Sequence, residues 1–432
     1  MLQKFFLILT LLFFTLTSTD CMKVKNMDKR TPIKVSYWGS YEEIQAMKKI
    51  ATKIEKKYPD IKIILEHVAI GNDPNKYTQK ILTEAAAGTA PDIAFSEVNL
   101  FVDFYSKGIF ISLNDFIKND KNFSLNDYFP TILKRFTVDN KIYILPRDVA
   151  PFAVVYYNKD LFNEEGLKFP TDNWNIYDLL KISQKLTKKD ASGNIKQFGF
   201  YTWAWFNFIY TFGGKVVDNV AHPTKCLLNS PNSVKGLQFY IDLMYKYKVM
   251  PTPSSLSSGY QELFKTGKLA MYCAGIWETP QLRKGAPFDW DIVMFPKGPH
   301  GERGFASGGS GYGILKWCKH KEKAWKVLKM LASPDAMKDL AKIGLAQPAS
   351  ISLSESKVWA KAPGKPQNKK MLNEAVKYII FDPFTPKWSY IQKNIISLYM
   401  DPVFLGNKPL KPALDKITKE INKILKKSNN QI

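Results

Sequence analysis

From Ile33 onward the chain switches between two polarity periods. Ile33, Val35 and Tyr37 alternate with polar neighbours, as a half-buried strand does, and the run ends at Trp38-Gly39-Ser40. Ile44, Met47, Ala51, Ile54 and Tyr58 then recur at intervals of 3, 4, 3 and 4, which is one face of a helix, and Pro59 stops it. Ile61 to Val68 reads as the next strand. A helix ending in Ala85-Ala86-Ala87-Gly88 follows, and Pro91-Asp92-Ile93-Ala94-Phe95 opens a third strand. Strand, helix, strand in this rhythm predicts an α/β fold whose sheet is mostly parallel and covered by helices. In such sheets the ligand crevice lies beyond the carboxyl ends of the strands. That rule nominates Trp38, Gly39, Ser40, Ser96, Glu97 and Asn99; without it they are ordinary turn residues.

Further along, Ile142 to Pro146 and Phe152 to Tyr157 read as two strands flanking Arg147-Asp148. Trp174, Tyr177, Leu180 and Ile182 predict a helix, Leu186 to Gly193 a polar loop, and Phe198-Gly199-Phe200 a strand. Tyr201 to Phe212 is unusually aromatic. If its start is extended, Trp203 and Trp205 share one face; as a helix it is aromatic all round and buried. A mixture is expected, with one or two of these rings reaching a cleft. Between 259 and 277, Tyr260, Leu263 and Phe264 have helical spacing, and Gly267 stands where a helix stops. Lys268 to Cys273 reads as a strand with Leu269 and Met271 alternating, and Gly275 turns the chain to deliver Trp277. An indole placed at a strand end offers a face for the C–H face of a sugar ring. On this segment alone, burial for packing is the simpler reading. Near the C-terminus, Ala324, Trp325, Leu328 and Leu331 mark a helix, and Ser333-Pro334-Asp335 caps the next, which Gly344 ends. Pro348 starts a loop-rich passage that leads through Asp382-Pro383-Phe384-Thr385-Pro386 to Trp388. Leu410, Leu414, Ile417, Ile421, Ile424 and Leu425 form a closing helix.

Length and composition refine this picture. At 432 residues the chain exceeds one comfortable core, so two domains are expected, and 45% apolar content supplies them. The formal net charge of +23 is carried almost wholly by lysine, with arginine at 30, 135, 147, 283 and 303 only. The lysines are spread along the chain without a recognition motif. They read as a solvated surface and not as a nucleic-acid-binding stripe. At the N-terminus Lys4 precedes an apolar run from Phe5 to Leu16, which is too short to span a membrane and suits the core of an export signal. Cys21 follows, and the polar, lysine-rich segment after it reads as a tether. The remaining cysteines, Cys226, Cys273 and Cys318, lack metal-site spacing and read as small buried apolar residues, although one pair is free to bridge in an oxidising compartment.

The order of segments resembles the extracellular solute-binding proteins of the maltose-binding type, which serve ABC sugar importers. The matching features are Val35 to Ser40, then Ala86-Ala87-Gly88-Thr89-Ala90-Pro91-Asp92-Ile93, then Tyr156-Tyr157-Asn158-Lys159-Asp160-Leu161-Phe162. Phe264 with Gly267-Lys268 through Gly275-Ile276-Trp277 comes next, followed by Gly308-Gly309-Ser310-Gly311 and the late Trp388. Cysteine after the apolar run also resembles a lipoprotein signal, although Asp20 and Thr17 depart from its usual residues. The resemblance implies a two-lobed periplasmic-binding-protein-like fold of type II, each lobe a mixed, mostly parallel sheet flanked by helices. It implies a signal peptide over 1–20, a tether over 21–31, one lobe from 32–145 with 310–345, and another from 146–309 with 346–432. Hinge strands are expected near 143–147 and 304–309. By position, Trp277 and Trp388 match ring-stacking tryptophans; Trp38 to Ser40, Ser96 to Asn99, and Gly309 with Ser310 match cleft-lining segments; Arg147 and Asp148 belong to the same set. The segment at Ser96 lacks the aromatic residue that the maltose-binding protein carries there.

Enzyme readings find little support in the residues. Gly308 to Tyr312 is not a nucleophile elbow, no phosphate-binding glycine loop occurs, and His67, His222, His300 and His320 are isolated. A glycosidase needs two carboxylates across a cleft, for which Glu97, Asp148 and Glu278 are available. The expectation is a non-catalytic, monomeric receptor without cofactor or metal. It binds a mono- or oligosaccharide by lobe closure, engages the transmembrane permease of an ABC importer, and is held at the membrane by lipid on Cys21. Two alternatives stand beside it: the same fold binding a polar non-sugar solute such as a glycerophosphodiester or polyamine, and a secreted carbohydrate-active hydrolase.

Overall fold

The computed structural model describes residues 28–71, 75–256 and 258–429. The expected signal peptide, the lipidated Cys21 and most of the tether lie outside the described residues. Two sheets carry the fold. In the first, β1 (Thr31–Tyr37) pairs in parallel with β2 (Ile61–His67) and β3 (Ile93–Glu97), while β3 lies antiparallel to the long β13 (Phe305–Ile314). On the far side of β13 runs β6 (Leu145–Pro151), with β14 (Gln347–Pro348) at its edge. The start of β13 also holds β15 (Ile379–Ile380). The second sheet orders β10 (Tyr201–Thr202), β11 (Met271–Ala274), β7 (Val154–Asn158) and β12 (Trp290–Met294). Two small hairpins, β4 (Thr137–Val138) with β5 (Lys141–Ile142) and β8 (Lys188–Lys189) with β9 (Ile195–Gln197), stand apart. Both sheets are mixed, and among the described residues antiparallel pairings outnumber parallel ones, five to four. The reason is that β13 runs against β3 and β6, and β6 against β14, in the first sheet, while β7 runs against β11 and β12 in the second.

Each sheet has its own core. Ile33, Val35, Ile93, Phe101, Ile314 and Leu328 belong to the first, and Val155, Tyr156, Leu179, Met271, Tyr272 and Val293 to the second. A third cluster gathers the closing helix Leu410–Asn429 against Ile391, Ile396, Met400 and Leu237. Gln347 and Pro348 pair with β6, and Ala349 and Leu353 pack in the first core, so the chain stays with the first sheet slightly beyond 345.

Two helical and strand readings need correction. The helix after Trp174 begins at Ile176 because Asn175 and Asp178 form a reciprocal capping box. Its buried face is therefore Ile176, Leu179, Ser183 and Leu186, one position off the predicted face, and Tyr177 is 55% exposed. Trp174 instead donates its indole N–H to the Met294 carbonyl at 2.7 Å. The strand read over Lys268 to Cys273 is Met271–Ala274 and is buried on both sides, since helices and loops cover both faces of the second sheet and no alternation survives. Among the described residues the three cysteines are free and buried, so the open possibility of a bridge is not realised. Also among the described residues, no helix is long and apolar enough to cross a membrane.

The aromatic 201–212 segment is the expected mixture: a two-residue strand, then a helix, Phe206–Thr211. Within that helix Asn207 is fully buried and ties the two crossings together. Its amide donates to the Phe152 carbonyl at 2.6 Å and accepts from the Ala306 amide at 2.9 Å, while the Phe152 amide donates to the Ala306 carbonyl at 2.9 Å. Removing this brace leaves the Ala306 N–H buried without a partner. Asn207→Ala is expected to cost about 1–3 kcal/mol of stability, read as a lowered denaturation midpoint with an unchanged slope.

Candidate functional site

A cleft of about 720 Å³ opens where the two sheets meet, a size that suits a small ligand. Its first wall comes from the carboxyl ends of β1, β2 and β3: Trp38, Gly39 and Ser40, then His67 to Gly71, then Phe95, Glu97 and Asn99. Its floor is the pair of crossing strands, with Arg147, Asp148, Ala150 and Gly308 to Ser310. The opposite wall is aromatic: Phe152, Trp203 and Trp277. Leu345 and Ala346, which follow the left-handed Gly344 cap of the helix Pro334–Ile343, complete the rim.

The floor is built on a β-bulge. Ser310 pairs with Asp148 but Gly311 pairs with Pro146, so Arg147 is the extra residue in β6. In a regular strand Arg147 and Asp148 would point to opposite faces; the bulge re-aims one of them, and both line the cleft. Arg147 donates from Nε to Asp148 Oδ2 at 2.7 Å and from Nη1 to Glu43 Oε1 at 2.9 Å. Ser310 Oγ donates to Asp148 Oδ2 at 2.6 Å, and the Arg147 guanidinium sits 4.8 Å from the Phe95 ring centre. Burial works against the charge on Arg147, yet Asp148 and Glu43 hold the guanidinium well above its ordinary pKa.

Glu43 reaches the floor because Ser40 starts the helix Tyr41–Lys57. The Ser40 hydroxyl accepts from the Glu43 amide, and the Glu43 carboxylate accepts from the Ser40 amide at 3.0 Å. A Cβ on Gly39 would fall 2.4 Å from the Glu43 carboxylate, so a larger residue here would push that carboxylate from its place. The neighbouring Glu42 turns outward and pairs with Lys284 on the helix Thr279–Gly285 of the other side, at 2.5 Å. Glu97 differs from the rest of the floor. Among the described residues its carboxyl accepts no hydrogen bond, and burial pushes it up to about 7, with Asp148 and Glu43 adding to the rise and Arg147 opposing it.

On the aromatic wall, Trp203 and Trp277 lie 6.4 Å apart at an interplanar angle of 29°, and Phe152 meets both edge-on at 5.0 and 5.5 Å. Gly275 is what allows this. The Trp277 ring folds back over it, and a Cβ there would lie 1.8 Å from the indole. Across the cleft, Trp38 stands edge-on to Phe95 at 4.5 Å and to Tyr77 at 4.6 Å.

Of the residues nominated from sequence, Trp38, Gly39, Ser40, Glu97, Asn99, Arg147, Asp148, Trp203, Trp277, Gly309 and Ser310 line this cleft. Ser96 does not; it is fully buried and its hydroxyl turns back to the Glu97 carbonyl at 3.1 Å. Trp205 packs against Phe206 and Phe404 instead, and Gly275 lies beneath the Trp277 ring. Trp388 is in the third core with Ile391 and Ile395, 5% exposed, because it opens a helix whose apolar side closes that cluster. Glu43, Phe152 and the 67–71 segment were missed. Ser40-x-x-Glu43 is a capping-box pattern that signals Glu43; nothing local in the sequence signals the other two.

The model of the family described as "Bacterial extracellular solute-binding protein" matches residues 38–338. A putative binding protein of Brucella abortus (strain 2308) is 24% identical over 359 residues, covering 81% of this chain and 83% of that one. The galactooligosaccharide-binding protein of Bacillus subtilis (strain 168) is 26% identical over 311 residues, 68% of each chain. Among solved structures, the ABC substrate-binding protein Lmo0181 of Listeria monocytogenes in complex with cycloalternan superposes with a TM-score of 0.80 at 26% identity, covering 92% of this chain and 99% of that one. Maltose-bound MalE3 of T. maritima gives 0.76 at 22% identity, covering 91% and 100%.

Removing Asp148 takes from the buried Arg147 guanidinium one of its two carboxylate partners, leaving it Glu43 alone. Asp148→Ala is expected to destabilise the protein by about 1–3 kcal/mol in chemical denaturation. Adding Arg147→Met to that variant should recover part of the loss, so the two effects will not sum. Additive losses would show that the pair does not act as a unit.

Proposed function

The chain belongs to the bacterial extracellular solute-binding protein family, and from that premise we propose that it is the substrate-binding component of an ABC importer, taking a mono- or oligosaccharide into the cleft and presenting it to a membrane permease. The observation that carries this reading is the pairing of Trp203 and Trp277, nearly parallel on one wall, with a floor of hydrogen-bonding groups around Asp148 and Ser310. Indole faces take the apolar face of a sugar, and the floor sorts its hydroxyls. The names of relatives that bind galactooligosaccharide and cycloalternan support the same class.

The same reading makes the protein a monomer working outside the cytoplasm, tethered by lipid on Cys21. It also divides the chain into lobes of 32–145 with 310–345 and 146–309 with 346–432, swinging on β6 and β13; the packing of Ala349 and Leu353 favours placing the last boundary somewhat later. Closure must be unfavourable without ligand, or the permease could not tell loaded from empty receptor. The role is capture and not turnover, consistent with a family of solute-binding proteins. Among the described residues that line the cleft a glycerophosphodiester finds no lysine, and the one arginine, Arg147, is committed to two carboxylates. The amine-bearing alternative has one observation in its favour, the unpartnered Glu97.

Intrinsic tryptophan fluorescence across a panel of unmodified mono- and oligosaccharides tests the proposal. A saturable response without product accumulation is expected for at least one sugar. Trp277→Ala should weaken that binding at least tenfold, about 1.4 kcal/mol. Undiminished affinity in the variant would remove Trp277 from the site, and silence across the panel would end the carbohydrate reading.

A further inference from the structure

The protein carries a net charge of +23, yet its cleft is acidic. Glu43, Glu97 and Asp148 line it, against a single guanidinium. No lysine is among the described residues that line it, and the one arginine turns Nε and Nη1 to Asp148 and Glu43. His67, on β2, points its Nε2 to the Gly39 carbonyl at 3.1 Å. Among the described lining residues, therefore, no lysine and no arginine without a carboxylate partner is there to receive an anionic ligand. Glu97 is the converse case. It sits at the carboxyl end of β3, opposite Ser310 in register, lines the cleft, and accepts no hydrogen bond among the described residues. Every other carboxylate of the floor has its donor: Asp148 from Arg147 and Ser310, Glu43 from Arg147 and the Ser40 amide. The walls beside it are aromatic faces, which attract cations as well as C–H groups.

We propose that Glu97 is a specificity-determining residue, selecting a ligand that presents a protonated amine: on the carbohydrate reading, an amino sugar preferred over its neutral counterpart, with the uronate rejected. An ammonium supplies what the floor lacks, a donor and a positive charge for the one unpaired carboxyl. An acetamido group or hydroxyl supplies the donor only. A uronate adds a fourth carboxylate to three. The same contact makes binding proton-linked. Glu97 titrates near 7, against Asp148 and Arg147 on β6 and Glu43 on the first helix. Amine binding requires its ionised form, so affinity must rise with pH through that range. The ionised fraction grows from about a tenth at pH 6 to about a half at pH 7, an expected gain of about fivefold.

The proposal rests on the cleft being the ligand site, and its test separates the two. The probes are gluco-, galacto- and manno-configured disaccharides in α and β linkage, each as the neutral sugar, the 2-amino sugar and the 6-carboxylate, with spermidine as an amine that is not a sugar. Titration calorimetry of the full chain should rank amine above neutral by at least fivefold, and uronate at least tenfold below neutral. Glu97→Gln, which keeps the shape and removes the charge, should bring amine and neutral within twofold and abolish the pH dependence; Glu97→Asp should keep the order. An unchanged ranking or pH profile in Glu97→Gln would overturn the assignment. So would uronate binding as tightly as neutral sugar in the wild type. Spermidine binding with no sugar response would leave Glu97 as the selector but end the carbohydrate reading, whereas neutral sugars binding best would do the reverse. No binding of any probe counts against both. Melting curves within a few degrees of wild type confirm that the variants are folded.

Discussion

Arg147 cannot be buried alone. An unpaired guanidinium in the interior costs several kcal/mol, so the chain must bring carboxylates to it from wherever it can. One is its own neighbour, made available only because a bulge turns two successive side chains to one face. The other is 104 residues away, at the third position of a helix whose capping box fixes its start. The pair thus joins β6, the first helix and, through Ser310, the return strand β13. The first helix meets both crossing strands at this point. The cleft floor is not a surface added to a finished fold; it is the way the fold satisfies a buried charge.

The aromatic wall follows a different logic. A tryptophan on a cleft wall must be held by its edges if its face is to stay free. Phe152 packs against Trp203 and Trp277 with its ring plane steeply inclined to both, at 5.0 and 5.5 Å, and so helps to fix their orientation. Gly275 lets the Trp277 ring fold back on its own chain, a placement that any larger residue would prevent. Phe152 also follows directly on β6, and its carbonyl is held by Asn207. The ring that orients the indoles is thereby tied to the segment on which the two sheets meet. Movement of one lobe against the other would alter the wall together with the opening.

This division explains what was legible in the sequence. The first two strands and the helix between them could be read because each has a periodic buried face, and β3 because it is a short apolar run buried on both sides; the carboxyl ends of β1 and β3 then named Trp38, Glu97 and Asn99 by a general rule. Glu43 carried a local signature, the capping box, whose consequence depends on what lies across the cleft. Phe152 carried none, because its role is set by two rings 51 and 125 positions further along. Trp388 shows the opposite error: a late tryptophan in the expected place, captured by a third core that periodicity alone does not announce. The bulge at Arg147 is invisible for the same reason. It is a property of how β6 registers against β13, which lies more than 150 residues away, and not of either strand.

The contrast between a strongly basic chain and an acidic cleft is a matter of distance. At physiological ionic strength exposed charges are screened beyond about 8–10 Å, so lysines spread over the outside barely reach a recessed carboxylate. Many are also spoken for: Lys34 and Lys80 both bridge Glu66 and Glu84, and Lys53 holds Asp335 and Asp339. Inside the cleft screening is weak and the local count decides, so the sign that a ligand meets is set by Glu43, Glu97, Asp148 and Arg147. Net charge describes how this protein behaves toward surfaces and solvent. The charge inside the cleft is set by four side chains whose sum has the other sign.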